Sequence, residues 1–279
     1  MTLLVRDEED IIAANIEYHL ARGVDFVIAM DNLSEDRTPD ILRRYERQGC
    51  LRYVHQPEDT YMQHRWVTGM ARAAATELGA DWIINSDADE FWWPHDGDLK
   101  QVLAGVDPAA PAVLVDRTNF VPRRGTAPGC FADAMTVRES RSMNALGSPL
   151  PGKVCHRAMP DIDVWQGNHR VLRHGQVLPA VRAPITILHF PMRSYAQFAN
   201  KIEKGGAAYA RNAELPPEVG GTWRELYEVW RRGELEQRYD AMLLDDATVE
   251  AGLRDGRLVR DDRLKTFLAR LDRPRPGAE

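Results

Sequence analysis

The stretch that decides the fold is Asp81-Trp82-Ile83-Ile84-Asn85-Ser86-Asp87-Ala88-Asp89-Glu90-Phe91. A short apolar strand runs into a dense acidic turn. On an extended backbone Asp87 and Asp89 leave the same face, because side chains alternate with period two. Two carboxylates aimed one way repel each other unless a positive charge lies between them. A hard divalent cation carrying a diphosphate meets that need. Asp-x-Asp alone recurs by chance in acidic loops, so its weight comes from what precedes it.

Upstream, strands and helices alternate. Thr2 to Val5 reads as a strand, and Arg6-Asp7-Glu8-Glu9-Asp10 opens a helix with acids in its first turn. Ile11, Ile12, Ile16 and Leu20 give that helix an apolar stripe, and Gly23 ends it. Val24 to Met30 is a second strand, followed by the loop Asp31-Asn32-Leu33-Ser34-Glu35-Asp36-Arg37-Thr38. Pro39 starts a helix, with Thr38 as its cap. Leu51 to His55 is a third strand, Gln63 to Leu78 a long helix, and Trp82 to Ser86 the fourth strand. This alternation implies an α/β fold with a mostly parallel central sheet and helices on both faces. Ligands bind beyond the carboxyl ends of such strands. Arg6, the 31–38 loop, His55 and the 87–90 turn should therefore cluster.

The second half is less regular. Ala112 to Asp116, Lys153 to Arg157, Val171 to Leu172 and Ile185 to Phe190 read as strands. Residues 123–151 read as a long functional loop or lid. Tyr195 to Asn212 reads as a helix interrupted at Gly205-Gly206, followed by amphipathic helices at 222–232 and 234–244. Residues 254–275 read as a solvated surface and the last seven residues as a frayed end.

Composition narrows the function classes. A hydrophobic share of 44% suits a globular chain, and a net charge of -6 argues against a nucleic-acid binder. No stretch nears the ~18 apolar residues of a membrane span. Cys50, Cys130 and Cys155 are scattered, with neither zinc spacing nor a disulfide framework, and a reducing cytoplasm is the simplest location.

Three motifs now stand in order at strand ends: Val5-Arg6-Asp7-Glu8-Glu9-Asp10, Asp31-Asn32-x-Ser34-x-Asp36-x-Thr38, and Asp81-Trp82-Ile83 leading to Asp87-Ala88-Asp89-Glu90-Phe91. They resemble the family-2-type glycosyltransferases of the GT-A (nucleotide-diphospho-sugar transferase) fold. The closest branch opens its first helix with Arg-Asp-Glu and has an Asp-x-Asp-Glu-Phe metal motif. Ile187-Leu188-His189-Phe190 and Tyr195-x-x-Phe198-x-x-Lys201 are similar to the same branch. Residues 123–163 match nothing in it, so no acceptor is implied.

The resemblance implies a catalytic domain over 1–192, divided into a nucleotide-sugar and metal half (1–105) and an acceptor half (106–192), with C-terminal helices over 193–279. It implies transfer from a UDP- or GDP-linked sugar to an acceptor hydroxyl of a small molecule, glycan or lipid-linked sugar, with inversion. Mn2+ or Mg2+ would be the cofactor, held by Asp87, Asp89 and His189, the last of which could equally be a satisfied core histidine. Donor contacts would come from Arg6, Glu8, Asp31, Asn32, Arg65, Asp87, Lys201 and Lys204. Lys201 and Lys204, three apart on a helix, share a face. Lys153 is a further basic candidate for the phosphates.

An inverting transfer needs a base for the acceptor proton. Glu90, Asp161, Asp163 and His169 are candidates. Phe91-Trp92-Trp93 and Trp165 offer rings for a sugar face, although adjacent tryptophans point opposite ways and one belongs in the core. Trp66 and Trp82 read as core. Two rival readings stand beside this one. Nucleotidyl transfer would need a glycine-rich loop after the first strand, where Arg6-Asp7-Glu8-Glu9 stands instead. A non-catalytic nucleotide-sugar or glycan-binding protein on the same fold is the other.

Overall fold

A computed structural model describes residues 1–125, 129–144, 147–216 and 218–271. The first half alternates as β1 (Thr2–Val5), α1 (Ile12–Ala21), β2 (Val27–Asp31), α2 (Thr38–Arg47), β3 (Leu51–His55), α3 (Gln63–Glu77) and β4 (Trp82–Ser86). Then follow β5 (Glu90–Pro94), α4 (Leu99–Ala104), β6 (Ala112–Asn119), α5 (Phe131–Ala134), β7 (Val137–Glu139) and β8 (Lys153–Arg157). Short strands β9 (Ile162–Val164), β10 (Val171–Arg173), β11 (Gln176–Val177) and β12 (Ala180–Val181) precede β13 (Ile185–His189). The chain closes with α6 (Tyr195–Arg211), α7 (Gly221–Arg231), α8 (Leu235–Met242), α9 (Asp246–Arg254), β14 (Leu258–Arg260) and α10 (Arg263–Leu271).

The main sheet runs β3-β2-β1-β4-β8-β6-β13-β5, with β12 on β6. β1, β2, β3 and β4 pair in parallel, as do β6 and β13. β8 is antiparallel to both β4 and β6, and β5 to β13. Strand alternation sorts the core into two layers. Leu3, Val5, Val27 and Ala29 face α1 and α2, while Ile28 and Ile83 face Val67, Met70 and Ala71 of α3. Phe91 is fully buried, and its loss to alanine would cost ~3–5 kcal/mol. Trp92 is fully buried, Trp66 is core as expected, and Trp82 is half-buried beneath the Arg157 guanidinium.

Several local expectations change. The first helix starts at Ile12 and has no acid in its first turn, because Arg6 to Ile11 form a bent connection in which the Asp7, Glu8 and Glu9 N–H groups are taken by the 31–38 loop. Thr38 is not the cap of α2: its hydroxyl accepts from the Glu8 N–H at 2.8 Å, and Asp36 Oδ1 accepts from Thr38 N. Strand β2 begins at Val27, not Val24. Asp87 and Asp89 occupy a turn rather than extended backbone. Helix α6 runs unbroken through Gly205 and Gly206, whose missing side chains admit Trp223 and Tyr227 of α7.

The described parts of 123–151 hold α5 and β7, and Phe131, Ala132 and Val137 are buried. The described part of 254–275 is likewise no bare surface: β14 pairs with β7, and Leu264 joins the core beside α1. Beyond residue 192, α6, α7 and α8 share their own apolar cluster, while α10 and β14 pack onto the first 192 residues. The last seven residues lie outside the described residues. Among the described residues no helix is long and apolar enough to cross a membrane.

Candidate active site

The carboxyl ends of β1, β2 and β4 converge with the start of α6. Asp7 N donates to Ser34 Oγ, and Lys204 reaches both Asp7 (2.6 Å) and Glu35 (2.9 Å). Arg193 Nη2 lies 2.5 Å from Glu8 and its Nε 2.7 Å from Asp10. Lys201 lies 2.7 Å from Asp89 and 4.0 Å from Glu8. Lys201 and Lys204 thus face one site, as their spacing implies. Asp7, Leu33, Tyr61 and Asn168 all adopt positive φ around this site. Such backbone strain persists where surrounding structure over-determines it.

The acidic turn is held from below. Asn15 of α1 donates to the carbonyls of Ala88 and Glu90, at 2.9 and 2.8 Å. Asp87, one-third exposed, accepts from Lys153 at 2.5 Å and from Asn168 at 3.2 Å. Asp89 is buried against Lys201. Each carboxylate therefore has its own ammonium. Burial opposes ionisation of Asp87, but Lys153 holds it below the usual carboxylate range. Burial likewise opposes ionisation of Asp89, and Lys201, His189 and Arg193 together keep it strongly acidic.

Glu90 is fully buried, 3.2 Å from both Lys153 and Arg117. Burial pushes its carboxyl up to about 7, against the pull of Lys153. With no exposed surface, its carboxylate is spent on those two cations. Burial also raises Glu8 despite Arg193.

His189 ends β13 beside the turn. Its Nδ1 lies 2.7 Å from Asn119 Oδ1, and its Nε2 lies 3.7 Å from Asp89 Oδ1. Asn119 Nδ2 donates to Glu139 and to Met143 O, so its oxygen must face the ring. Nδ1 then carries the proton, and the Nε2 lone pair points towards Asp89. Burial lowers the imidazole to about 3, so it is neutral. Asp87 does not complete a trio with this pair. Among the described residues no three His, Cys, Asp or Glu side chains are arranged to hold a metal ion.

Asp31 is buried at the end of β2, where Tyr53 donates to Oδ2 at 3.2 Å and His55 lies 3.8 Å away. Asn32 instead spends its amide on the Gln56 and Glu58 carbonyls, shaping the next loop. Arg6 pairs with Asp59 at 2.7 Å.

Three sequence candidates stand apart. Arg65 is exposed and pairs with Glu214, and Asp163 is exposed and pairs with Arg72 at 2.8 Å. Asp161 is tied to Arg173 and His174. His169 is nearer: its Nδ1 donates to Gly152 O, and burial with the charges of Lys153 and Arg117 lowers it to about 4. Arg193, Arg117, Asn119, Asn168 and Tyr61 were not legible as site residues. Each lies in an unremarkable local pattern. Tyr61 packs on Tyr209 with ring centroids 4.6 Å apart and the planes tilted by 43°, and its hydroxyl is raised well above its ordinary value, first by burial and then by Tyr209 and the carboxylates.

The family model described as Glycosyl transferase family 2 matches residues 4–157. No curated protein sequence matches the chain. Among solved structures, S. aureus TarS 1-349 in complex with UDP is 12% identical, covers 98% of this chain and 91% of its own, and has a TM-score of 0.41. The same protein in complex with UDP-GlcNAc is 10% identical over 96% and 89%, with a TM-score of 0.42. HddC from Yersinia pseudotuberculosis is 11% identical over 78% and 83%, with a TM-score of 0.31.

Proposed function

The chain belongs to glycosyl transferase family 2, and from that premise we propose that it moves a sugar from a nucleoside diphosphate, UDP or GDP, to an acceptor hydroxyl, with inversion. The observation that carries this reading is the meeting of strand-end carboxylates with the lysines of α6: Lys201 lies 2.7 Å from Asp89, itself beside His189, and Lys204 lies 2.6 Å from Asp7, whose N–H donates to Ser34 in the loop after Asp31. Asp31 supplies buried carboxylate lone pairs for the base or ribose of the donor. Lys201 and Lys204 supply ammonium groups for the diphosphate. Asp87 and Asn168 form a polar wall for ribose or sugar hydroxyls.

Mn2+ or Mg2+ would be held by two protein side chains, Asp89 and His189, where a neutral imidazole nitrogen lies 3.7 Å from an ionised carboxylate, with its remaining ligands supplied by the donor diphosphate. Bound there, the ion would supply Lewis-acid stabilisation of the leaving diphosphate. Asn119 holds the imidazole in the tautomer that ligation requires. Lys201 keeps Asp89 ionised until that partner arrives. For the acceptor proton, His169 is the candidate that combines a free Nε2 with partial exposure.

The test is hydrolysis or transfer of UDP- and GDP-sugars with Mn2+. Asp89→Ala should abolish turnover while circular dichroism stays as in the wild type. Absence of binding to any nucleotide sugar by calorimetry would sink the reading, and pyrophosphate release from a nucleoside triphosphate would replace it with nucleotidyl transfer.

A further inference from the structure

A groove of about 430 Å3 runs along the outer face of α3, walled by β9, β10 and the residue after β9, Trp165. It is separate from the carboxylate turn but is joined to it by the adjoining residues. His64 and Trp165 line the groove, while their neighbours Gln63 and Asn168 reach Asp87 Oδ1 at 3.5 and 3.2 Å. We propose that this groove is an acceptor subsite that binds one pyranose ring of a neutral oligosaccharide, stacked on Trp165. The proposal rests on the glycosyl-transfer reading above.

Three observations point to that occupant. Trp165 is 49% exposed, and among the described residues it is the one aromatic among the large exposed hydrophobic side chains. Its platform is fixed: Trp165 N donates to Arg170 O, and the next side chain, Gln166, accepts from His64 N and donates to the Tyr209 hydroxyl. A half-open indole on this backbone offers a flat apolar face suited to the C–H side of a sugar.

Gly69, exposed in the interior of a 15-residue helix, lines the groove. Glycine there costs the helix about 1 kcal/mol relative to alanine. A Cβ at Gly69 would meet nothing within 4 Å, so packing inside the molecule does not require the glycine. Its bareness keeps the groove open for something outside.

The rim is charged but balanced. Arg72 pairs with Asp163 at 2.8 Å, and Arg65 with Glu214 at 2.5 Å. Paired guanidinium and carboxylate groups present both donors and acceptors at the edge of the ring, which suits equatorial hydroxyls. They leave no net positive charge to favour a phosphate. The volume falls in the ~300–1,000 Å3 range of small-ligand sites.

The experiment uses the full chain on a printed array of neutral di- to hexasaccharides, with melting temperature and UDP calorimetry measured alongside. Wild-type protein should be retained by a subset of the glycans. Trp165→Ala should lower that retention about tenfold or more. Gly69→Leu should lower it to a similar extent while melting no lower than the wild type, because leucine improves the helix and fills only the groove. Retention equal to wild type in Gly69→Leu, or no glycan retained by the wild type, overturns the proposal. Failure of the wild type to bind UDP or any other nucleotide would instead count against the donor site, independently of the array.

Discussion

Asn119 Oδ1 lies 2.7 Å from His189 Nδ1 and so dictates which ring nitrogen faces Asp89. The amide has no freedom to flip, because its nitrogen is spent on Glu139 and Met143. A residue at the end of β6 thus sets the chemistry of one at the end of β13, its register partner across a parallel pair.

Replacing Asn119 with alanine leaves His189 free to change tautomer. Affinity for Mn2+ should fall about 10- to 100-fold, the usual cost of losing a partner that orients a metal ligand. Titration calorimetry of wild type and variant checks this. Equal affinities would show that the ring needs no such support.

Lys153 is 1% exposed and bridges Asp87 and Glu90, at 2.5 and 3.2 Å. Lys153→Met would leave Glu90 buried with Arg117 alone and Asp87 without its ammonium. Removing one member of a buried ionic cluster costs about 3–5 kcal/mol, which should appear as a lower urea midpoint. A midpoint within error of the wild type would mean that Glu90 is carried neutral and that the cluster is held by packing.

His19 gives stability a pH dependence. Trp92 N–H donates to its Nε2 at 3.2 Å, and Nδ1 donates to Asn15 O at 2.8 Å, so the folded ring has no place for a second proton. Burial lowers it to about 3, and burial lowers His156 to about 4. In the unfolded chain both protonate near 6.5. Between those values the unfolded state binds more protons. The share of the stability carried by these two rings is therefore complete above about pH 6.5 and is lost as the pH falls towards 4 and then 3. Urea unfolding of the wild type and His19→Gln from pH 8 to 5 should show the two stability curves changing their separation from near 6.5 downwards. In His19→Gln the slope below pH 6.5 should shrink by about 1.4 kcal/mol per pH unit.

Gly206→Ala tests the seam between α6 and α7. Alanine is the better helix former by about 1 kcal/mol, yet its Cβ would meet Tyr227 Cβ at 2.4 Å. The clash should win, with a net loss of about 1–3 kcal/mol in thermal or urea unfolding. A stabilised variant would show that the two helices can slide apart without cost.

The sequence alone determined the strand–helix alternation through Ser86, because period-two and period-3.6 patterns are local properties of the chain. It also placed Asp31, Asp87, Asp89, Lys201 and Lys204 at strand ends or on one helix face, where the structure sets Lys201 on Asp89 and Lys204 on Asp7. The helix stripe at Ile12 and Ile16 was legible for the same reason. That Asn15 and His19 share that buried face, Asn15 carrying the acidic turn and His19 accepting from Trp92 of β5, was not, since those partners lie more than 70 residues away. Tertiary structure alone decided that Asp87 and Asp89 diverge onto Lys153 and Lys201, that Arg193 closes on Glu8, and that Asp163 faces a surface groove beside Trp165. Those outcomes depend on which charges meet across long loops. No local pattern encodes that, because a pairing between distant residues is chosen by the packing of the sheet and helices that carry them.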